Sequence, residues 1–343
     1  MREFEGFKKG INLGGWLSQC CHRKVHYDTF ITEADIKQIA VWGLDHVRLP
    51  IDFELIEPEE GVYSEDGFGY IDRCIEWCRC YHLNVVLDLH KTAGYVFHEQ
   101  INNGTEKASF FLENEKLIQR FLNLWKFIAR RYQDDTKMLA FEILNEMVDP
   151  SGGIAWNRLA KRAYETIREI LPNAKIIIGS NMWNSIHTLK YMDKPYDENV
   201  IYTFHFYEPM LFTHQKAAWV DAIPKDVDVF YPDAIETYQR LADRIGQYEV
   251  SNETTDKMDI TYLEEIIKIA VKTAEEYNVP LYCGEYGVIN QADPESTLNW
   301  YRDFHQLMEK YNIGRASWTY KEKDFGIQDA HLDSVREQIL QFL

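Results

Sequence analysis

The 343-residue chain is short of positive charge. It contains 37 Lys and Arg against 55 Asp and Glu, which gives a formal net charge of −18 at pH 7. Binding to the phosphates of nucleic acids or to an anionic membrane surface depends on clustered basic side chains, so this balance argues against both partners. A neutral ligand such as a sugar polymer suits an acidic chain that is 14% aromatic.

Long hydrophobic runs are also lacking. No stretch of the sequence is long enough to cross a bilayer, and residues 1–9 contain no apolar core of a secretion signal. We therefore expect no membrane partner, and a protein that is cytoplasmic or is exported by a route without a visible signal peptide.

Cysteine is scarce, with six residues in the chain. Cys74 and Cys78 lie four residues apart, which is the spacing of one buried helix face. With Cys80 and His82 they could be read as a zinc cluster. Their spacing matches no common zinc pattern, and ligands on one continuous helix converge poorly. The sequence therefore favours core and helix-flank roles for them and implies neither a metal nor a cofactor.

Short apolar runs alternate with amphipathic stretches along the whole chain. Strands are predicted at residues 10–13, 46–49, 84–90, 139–145, 175–179, 199–205, 280–284 and 315–318. Apolar residues spaced three to four apart predict helices at residues 32–40, 117–132, 156–171, 262–277 and 294–311. This alternation is typical of an α/β fold, the (β/α)₈ or TIM barrel, with a doubly wound sheet as the alternative. Barrels with insertions reach this length as one domain, so we predict a single catalytic domain over residues 1–343.

One connection is far longer than the others. Residues 209–259 separate the sixth predicted strand from its helix, where about 2–6 residues are usual. The segment contains Phe212, Trp219 and Tyr231, followed by a helical pattern over residues 234–245. We predict an inserted helical subdomain on the catalytic face that forms one wall of the cleft. An inert surface insertion is the alternative.

Two glutamates follow apolar strands directly. Glu146 follows the run Leu-Ala-Phe-Glu-Ile-Leu-Asn, and Glu285 follows Leu-Tyr-Cys-Gly. The carboxyl ends of the strands of an α/β barrel meet at one face, where such folds keep their active sites. Two carboxylates brought to one mouth are what acid-assisted cleavage of a glycosidic bond requires.

Further functional side chains lie at the same strand ends. They are Arg48, His90, Asn145, His205 and Trp318, with Tyr207 two residues beyond His205. Buried polar groups cost free energy unless they satisfy one another, so their repetition strand after strand favours a site over a structural role. A metal-dependent hydrolase would need clustered His and Asp. Residues 88–90, Asp-Leu-His, are the nearest approach to such a cluster and lack a second histidine.

Four motifs carry a family resemblance. Asn-Leu-Gly-Gly-Trp at residues 12–16, Leu-Asn-Glu at 144–146, His-Phe-Tyr at 205–207 and Gly-Glu-Tyr-Gly at 284–287 resemble glycoside hydrolase family 5, in order from the first strand to the eighth. The resemblance extends to the C-type clostridial endoglucanase branch, which also has an insertion after strand six.

The resemblance implies a retaining β-glycan hydrolase. Its first expectation is an endo-β-1,4-glucanase, a cellulase or mixed-linkage β-glucanase, acting as a monomer on a β-linked glucan or gluco-oligosaccharide. A β-mannanase and an exo-β-1,3-glucanase or β-glucosidase are alternatives on the same scaffold. A non-catalytic carbohydrate-binding barrel would have to lack one of the two glutamates, and both are present.

The resemblance also implies roles for single residues. Glu146 would be the general acid/base, with a raised pKa, and Glu285 the ionised nucleophile, with the two carboxyl groups about 5–5.5 Å apart. Arg48 would keep Glu285 charged, and an interior ion pair that stabilises the barrel is compatible with this role. Asn145 would bond the 2-hydroxyl of the sugar being cleaved.

Supporting groups are implied around these. His205 would lie near the acid/base and Tyr207 against the nucleophile, while His90 would contact sugar hydroxyls or brace the network. Trp318 would form the platform on which the sugar ring stacks. Further subsites are expected at Trp16, Tyr95, Phe97, Trp183 and Phe212.

Glu142 lies in the middle of the fourth predicted strand. Its side chain should point opposite to that of Ile143, towards the barrel interior. We therefore predict that it pairs with Arg48 and is not itself catalytic.

Overall fold

The computed structural model describes residues 1–96, 111–246, 250 and 255–343. Within these residues, eight parallel strands close into a barrel. The strands are β1 Lys9–Asn12, β2 His46–Asp52, β3 Asn84–Lys91, β4 Leu139–Glu142, β5 Lys175–Gly179, β6 Val200–Phe206, β7 Leu281–Tyr286 and β8 Gly314–Ser317. Each strand pairs with its neighbours in sequence and β1 closes on β8, so the predicted (β/α)₈ architecture is confirmed.

Helices surround the barrel. They are α1 Lys24–Thr29, α2 Glu33–Val41, α3 Phe53–Ile56, α4 Glu65–Cys80, α5 Glu115–Arg131, α6 Ile154–Arg168, α7 Asn181–Asn184, α8 Met210–Thr213, α9 Ile235–Ile245, α10 Ile260–Tyr277, α11 Pro294–Lys310 and α12 Arg336–Leu340. Two 3₁₀ turns cover Ile186–Tyr191 and Ala330–Leu332. None of the helices in the described ranges is both long and apolar enough to cross a membrane.

Local sequence signals explain where the main helices begin. Asn114 caps α5 by accepting hydrogen bonds from the backbone N–H groups of the first turn, and Asp293 caps α11, which starts with Pro294. In α4, Cys74 and Cys78 both face the core, as their spacing predicted.

The strand register brings functional residues side by side. Asp88 on β3 is paired with Glu142 on β4, and His205 on β6 is paired with Glu285 on β7. The second pairing follows a register shift between Phe204 and His205. Polar side chains from adjacent strands therefore meet at the carboxyl end of the barrel.

The fourth strand is shorter than predicted. It ends at Glu142, and the chain then bends while the Asn145 N–H still donates to the Leu89 carbonyl at 3.1 Å. Glu146 has a left-handed backbone with φ of 47°. The prediction of a strand up to residue 145 is therefore wrong at its carboxyl end. Asn145 and Glu146 belong to a turn, which directs both side chains to the carboxyl end of the barrel.

The amino-terminal segment closes the opposite end of the barrel. Phe4 and Phe7 are buried in one apolar cluster with Tyr282. The rings of Phe4 and Phe7 stack with centroids 4.4 Å apart. These apolar rings fill the amino-terminal end of the barrel together with His46, which bonds the Tyr282 hydroxyl at 2.9 Å.

The long connection after β6 carries structure of its own. Its described part contains α8, α9 and a short antiparallel pair of Asp233–Ala234 with Lys257–Met258. The predicted helical pattern at residues 234–245 corresponds to α9.

Candidate active site

Two glutamate side chains face each other at the carboxyl end of the barrel. A carboxylate oxygen of Glu146, a ring nitrogen of His205 and a carboxylate oxygen of Glu285 all lie within 4.8 Å of one another. The side chains of Glu146 and Glu285 are only 13% and 7% exposed. An oxygen-to-oxygen distance within 4.8 Å fits a retaining pair, whose carboxyl groups lie about 5–5.5 Å apart, better than an inverting pair at about 6.5–9.5 Å.

Arg48 holds one oxygen of Glu285. Its Nη1 donates to Glu285 Oε1 at 2.8 Å, and its Nε donates to Glu142 Oε2 at 2.7 Å. Its Nη2 lies 3.0 Å from Asp88 Oδ2, and the guanidinium is fully buried. The predicted pairing of Glu142 with Arg48 is confirmed. One buried cation is thus shared by three carboxylates, one of which lies at the cleft.

Tyr207 contacts the second oxygen of Glu285, and His205 contacts one oxygen of Glu146. The Tyr207 hydroxyl donates to Glu285 Oε2 at 3.0 Å, and His205 Nδ1 lies 2.8 Å from Glu146 Oε1. Burial lowers the pKa of His205 to about 4, so the ring is neutral at ordinary pH. Its Nε2 faces the amide Nδ2 of Asn184 at 3.1 Å and accepts from it, which leaves Nδ1–H to donate to Glu146.

Burial also sets the proton affinity of Glu146. Removal of the carboxyl group from water raises its pKa to about 7. A carboxyl group with this pKa can hold a proton near neutral pH and can also lose it, as a general acid/base must.

Asn145 presents an unused donor. Its Oδ1 accepts from Arg48 Nη2 at 2.8 Å, and this fixes the orientation of the amide. Its Nδ2 is buried without a hydrogen-bond partner among the described residues. A buried donor left open beside two carboxylates fits a ligand hydroxyl better than a structural role.

Tyr95 supports the turn that carries Glu146. Its hydroxyl donates to the Glu146 carbonyl at 2.8 Å and accepts from the Val148 N–H at 2.8 Å. A left-handed backbone is uncommon for a residue other than glycine, so these bonds help to hold Glu146 in place. The expectation of a sugar subsite at Tyr95 is wrong, because the side chain is buried behind the turn.

His90 braces the network. Its Nδ1 lies 2.7 Å from Asp88 Oδ2, and its Nε2 lies 2.9 Å from the side-chain amide nitrogen of Gln19. Its ring is parallel to that of Trp318, with an interplanar angle of 6° and centroids 5.8 Å apart. These bonds fit the bracing role expected for His90, and a contact between His90 and sugar hydroxyls stays a prediction.

Two of the expected outer subsites are core residues. Trp16 is fully buried, stacks on Trp77 and donates its indole N–H to the Tyr27 carbonyl. Phe212 is fully buried and stacks on Tyr231. Both expectations are wrong, because a sugar ring cannot reach either side chain.

The other two expected subsites stay predictions. Trp183 is half-buried in the left-handed part of α7, and its N–H donates to the Met147 carbonyl at 3.3 Å, which places it beside the turn that carries Glu146. Phe97 lies outside the described residues.

Residues to which the sequence analysis gave no role complete the site. Gln19, Asn184 and Asn12 contact His90, His205 and Arg48 respectively. Asp88 had a usable signal, since it lies two residues before His90 and a strand directs such residues to the same face. Gln19 and Asn184 lie in loops, where no periodicity marks them.

Glu146, His205 and Glu285 are also residue types that bind metals, and in the described part of the chain they form the one cluster of this kind. Protein groups already contact this cluster, because Arg48 and Tyr207 bond the two oxygens of Glu285 and His205 bonds one oxygen of Glu146.

Comparison with known proteins agrees with this geometry. The family model of the cellulases, glycosyl hydrolase family 5, matches residues 7–324. Endoglucanase C of Acetivibrio thermocellus is 41% identical over 342 residues, covering 98% of each chain. Cellodextrinase A of Ruminococcus flavefaciens is 41% identical over 315 residues, covering 92% of this chain and 86% of its own.

Solved structures give the same result. Cel5A of Thermotoga maritima, in complex with cellobiose, superposes with a TM-score of 0.74 at 27% identity, covering 98% of this chain and 97% of its own. The barrel, the facing glutamates and the matches along nearly the whole chain lead to one conclusion: the chain belongs to the cellulase family, glycoside hydrolase family 5, and is a glycoside hydrolase.

Proposed function

We propose that the chain is an endo-β-1,4-glucanase that cleaves β-linked glucans with retention of configuration. The observation that carries the proposal is the pair of carboxylate oxygens, from Glu146 and Glu285, within 4.8 Å of each other and of His205. The similarity to Endoglucanase C over 98% of both chains supports the choice of substrate.

In the first step of the proposed reaction, Glu285 attacks the anomeric carbon while Glu146 donates its proton to the leaving glycosidic oxygen. The carbon–oxygen bond to the leaving chain breaks as the ester bond to Glu285 forms. Arg48 and Tyr207 hold the two oxygens of Glu285, so the attacking oxygen is oriented before substrate arrives.

In the second step, Glu146 acts as the base. Once Glu285 is esterified it no longer carries a negative charge, so the pKa of Glu146 falls and its carboxylate can take a proton from water. The resulting hydroxide attacks the anomeric carbon, the ester bond breaks, and Glu285 leaves as the carboxylate. Two inversions at one carbon give net retention.

Asn145 and Trp318 are the proposed sugar contacts. The open Nδ2 donor of Asn145 would bond the 2-hydroxyl, a contact that strengthens as positive charge develops on the ring. The sugar ring would stack on the indole of Trp318, which lies beside the His90 ring.

The insertion after β6 is proposed to border the cleft. The His214 ring lies 4.8 Å from the Tyr207 ring, centroid to centroid, and the Trp219 ring lies 6.3 Å from that of His214. The first part of the insertion therefore packs directly against a residue that holds Glu285. This placement supports a wall of the cleft over an inert surface segment.

A β-mannan is the second candidate substrate. Cel5A of Thermotoga maritima, 27% identical to this chain, has also been solved with mannotriose described as its substrate. Glucose and mannose differ in configuration at the carbon whose hydroxyl Asn145 is proposed to bond.

A product time-course decides between these activities. The substrates are carboxymethyl-cellulose, barley β-glucan, laminarin, glucomannan and short cello-oligosaccharides, with the variant Glu285→Gln purified in parallel to exclude contaminating enzymes. An endoglucanase lowers the viscosity of the β-1,4-linked glucans quickly and releases mixed oligosaccharides. Release of single sugars with polymer length unchanged would instead indicate exo action in a cleft closed by residues 209–259, and turnover of glucomannan alone would favour the mannanase.

A further inference from the structure

Gln19 lies in the loop after β1, at the wall of the catalytic centre. Its backbone is left-handed, with φ of 52°, and its N–H donates to Asp52 Oδ2 at 3.2 Å. The Lys323 ammonium donates to its carbonyl oxygen from the loop after β8. The backbone of Gln19 is therefore held from two sides, and its half-buried side chain points to His90.

The hydrogen bonds of His90 show which of its two ring nitrogens carries the proton. Nδ1 lies 2.7 Å from Asp88 Oδ2, which accepts, so Nδ1 carries the hydrogen. Burial lowers the pKa of His90, which leaves Nε2 without a proton. Nε2 then accepts from the amide N–H of Gln19 at 2.9 Å. The two bonds lie at opposite edges of one planar ring, so together they prevent it from rotating.

The immobilised ring lies against the sugar platform. Trp318 is parallel to His90 within 6°, at 5.8 Å between centroids. A Cβ atom on Gly14 would lie only 2.8 Å from Cη2 at the edge of the Trp318 indole, so the backbone of the loop after β1 is already close to that edge. If the His90 ring rotated, the Trp318 ring would therefore have to rotate with it.

We propose that Gln19 is a positioning residue of this glycosidase: with Asp88 it clamps the His90 ring in one plane, and the clamped ring sets the orientation of Trp318. The inference rests on the proposed function, because it treats Trp318 as the surface that carries the sugar. It gives the loop after β1 a part in the reaction although Gln19 donates no proton to substrate.

A double-mutant cycle with Trp318 tests whether Gln19 influences the reaction through Trp318. Gln19→Glu keeps the size of the side chain and removes the donor, and Gln19→Ala removes the whole amide. Each is made in the wild type and in Trp318→Phe, and kcat and KM are measured on an aryl cellobioside. In the wild-type background we expect kcat/KM to fall on the order of 10-fold for both, since a buried acceptor loses its partner. In the Trp318→Phe background the loss should shrink to about twofold or less, because coupled residues are not additive.

Gln119→Ala is the matched control, because this exposed glutamine bonds Asn123 on the outer helix α5, and it should leave kcat/KM unchanged. Thermal unfolding of each variant checks that the fold is intact, and Gln19→Glu fills the same space should Gln19→Ala fail to fold. Losses below about twofold in the wild type would overturn the inference, as would losses of equal size in both backgrounds, since Gln19 would then act independently of Trp318.

The inference can fail separately from the proposed function. Should the wild type cleave none of the glucans, the endoglucanase proposal is lost, and the same cycle is run on the Kd for cellobiose measured by calorimetry. A wild type that cleaves glucans while Gln19 variants match it loses the positioning role alone.

Discussion

Arg48 and Glu142 form a forked ion pair in the centre of the barrel. Nε of Arg48 lies 2.7 Å from Oε2 of Glu142 and Nη2 lies 3.0 Å from Oε1, with both side chains fully buried. The third nitrogen of the same guanidinium donates to Glu285 at the cleft. The group that orients the proposed nucleophile is therefore itself oriented by a carboxylate in the barrel core.

Replacing Glu142 should lower the stability of the protein. Glu142→Gln leaves Arg48 buried with one charge partner fewer, and breaking a buried pair costs about 3–5 kcal/mol. We expect the free energy of unfolding to fall by about 3 kcal/mol, since the amide oxygen still accepts one hydrogen bond. Urea denaturation followed by circular dichroism measures the change.

The control for that variant is an exposed pair. Arg162 bonds Glu115 on the helix surface, with side chains 34% and 69% exposed, so Glu115→Gln should cost about 1 kcal/mol or less. Equal costs for the two variants would show that burial of the Arg48–Glu142 pair makes no difference to stability.

Glu285→Ala should abolish hydrolysis, with a loss of several orders of magnitude in kcat. The cavity left by the side chain can admit azide, which attacks the anomeric carbon in its place. Because only one inversion then takes place, the product should be the α-glycosyl azide, identified by NMR. Azide that restores no turnover, with the variant correctly folded, would remove Glu285 from the role of nucleophile.

Glu146 should control the basic side of the pH profile. Burial raises its pKa to about 7, so the carboxyl group is protonated below that pH and loses its proton above it. Because the first step needs the proton, kcat/KM should fall as the pH rises through about 7. Neighbouring His205, with its pKa lowered to about 4, stays neutral over this range and adds no second step.

The variant Glu146→Ala separates the acid role from simple binding. It should retain more activity on aryl glycosides with good leaving groups than on polysaccharide, because those leaving groups need little protonation. Its basic limb near pH 7 should also disappear. Equal losses on both substrate types would count against Glu146 as the acid.

The strand pattern predicted more of this site than the aromatic residues did. Glu142, Glu146 and Glu285 could be placed from the alternation and the ends of buried strands, because a barrel fixes the face on which such residues lie. Trp16 and Phe212 could not be placed in this way. An aromatic residue near a loop has the same local sequence whether it faces the cleft or the core, and partners such as Trp77 and Tyr231 decide the outcome.

The loop residues of the site could not be predicted from the sequence, for a different reason. Gln19 meets His90, and Asn184 meets His205, across segments that are distant in sequence. No periodic signal marks either residue, because each contact exists only after the barrel has closed. The predicted length of the fourth strand was too great, because the turn after Glu142 still hydrogen-bonds to a neighbouring strand and its sequence resembles that of a strand.

Trp219 should matter for long substrates. It is 45% exposed, and its ring lies 6.4 Å from that of Phe325 and 6.3 Å from that of His214, which contacts Tyr207. An exposed indole beside the cleft can stack on a sugar unit away from the bond being cleaved. Trp219→Ala should therefore lower kcat/KM on barley β-glucan by about 10-fold, yet change turnover of an aryl cellobioside by less than about twofold. Phe230→Ala is the matched control, because Phe230 is an equally exposed aromatic, 49%, on the same insertion. If the two variants behave alike on the polymer, the insertion borders the cleft without binding the chain.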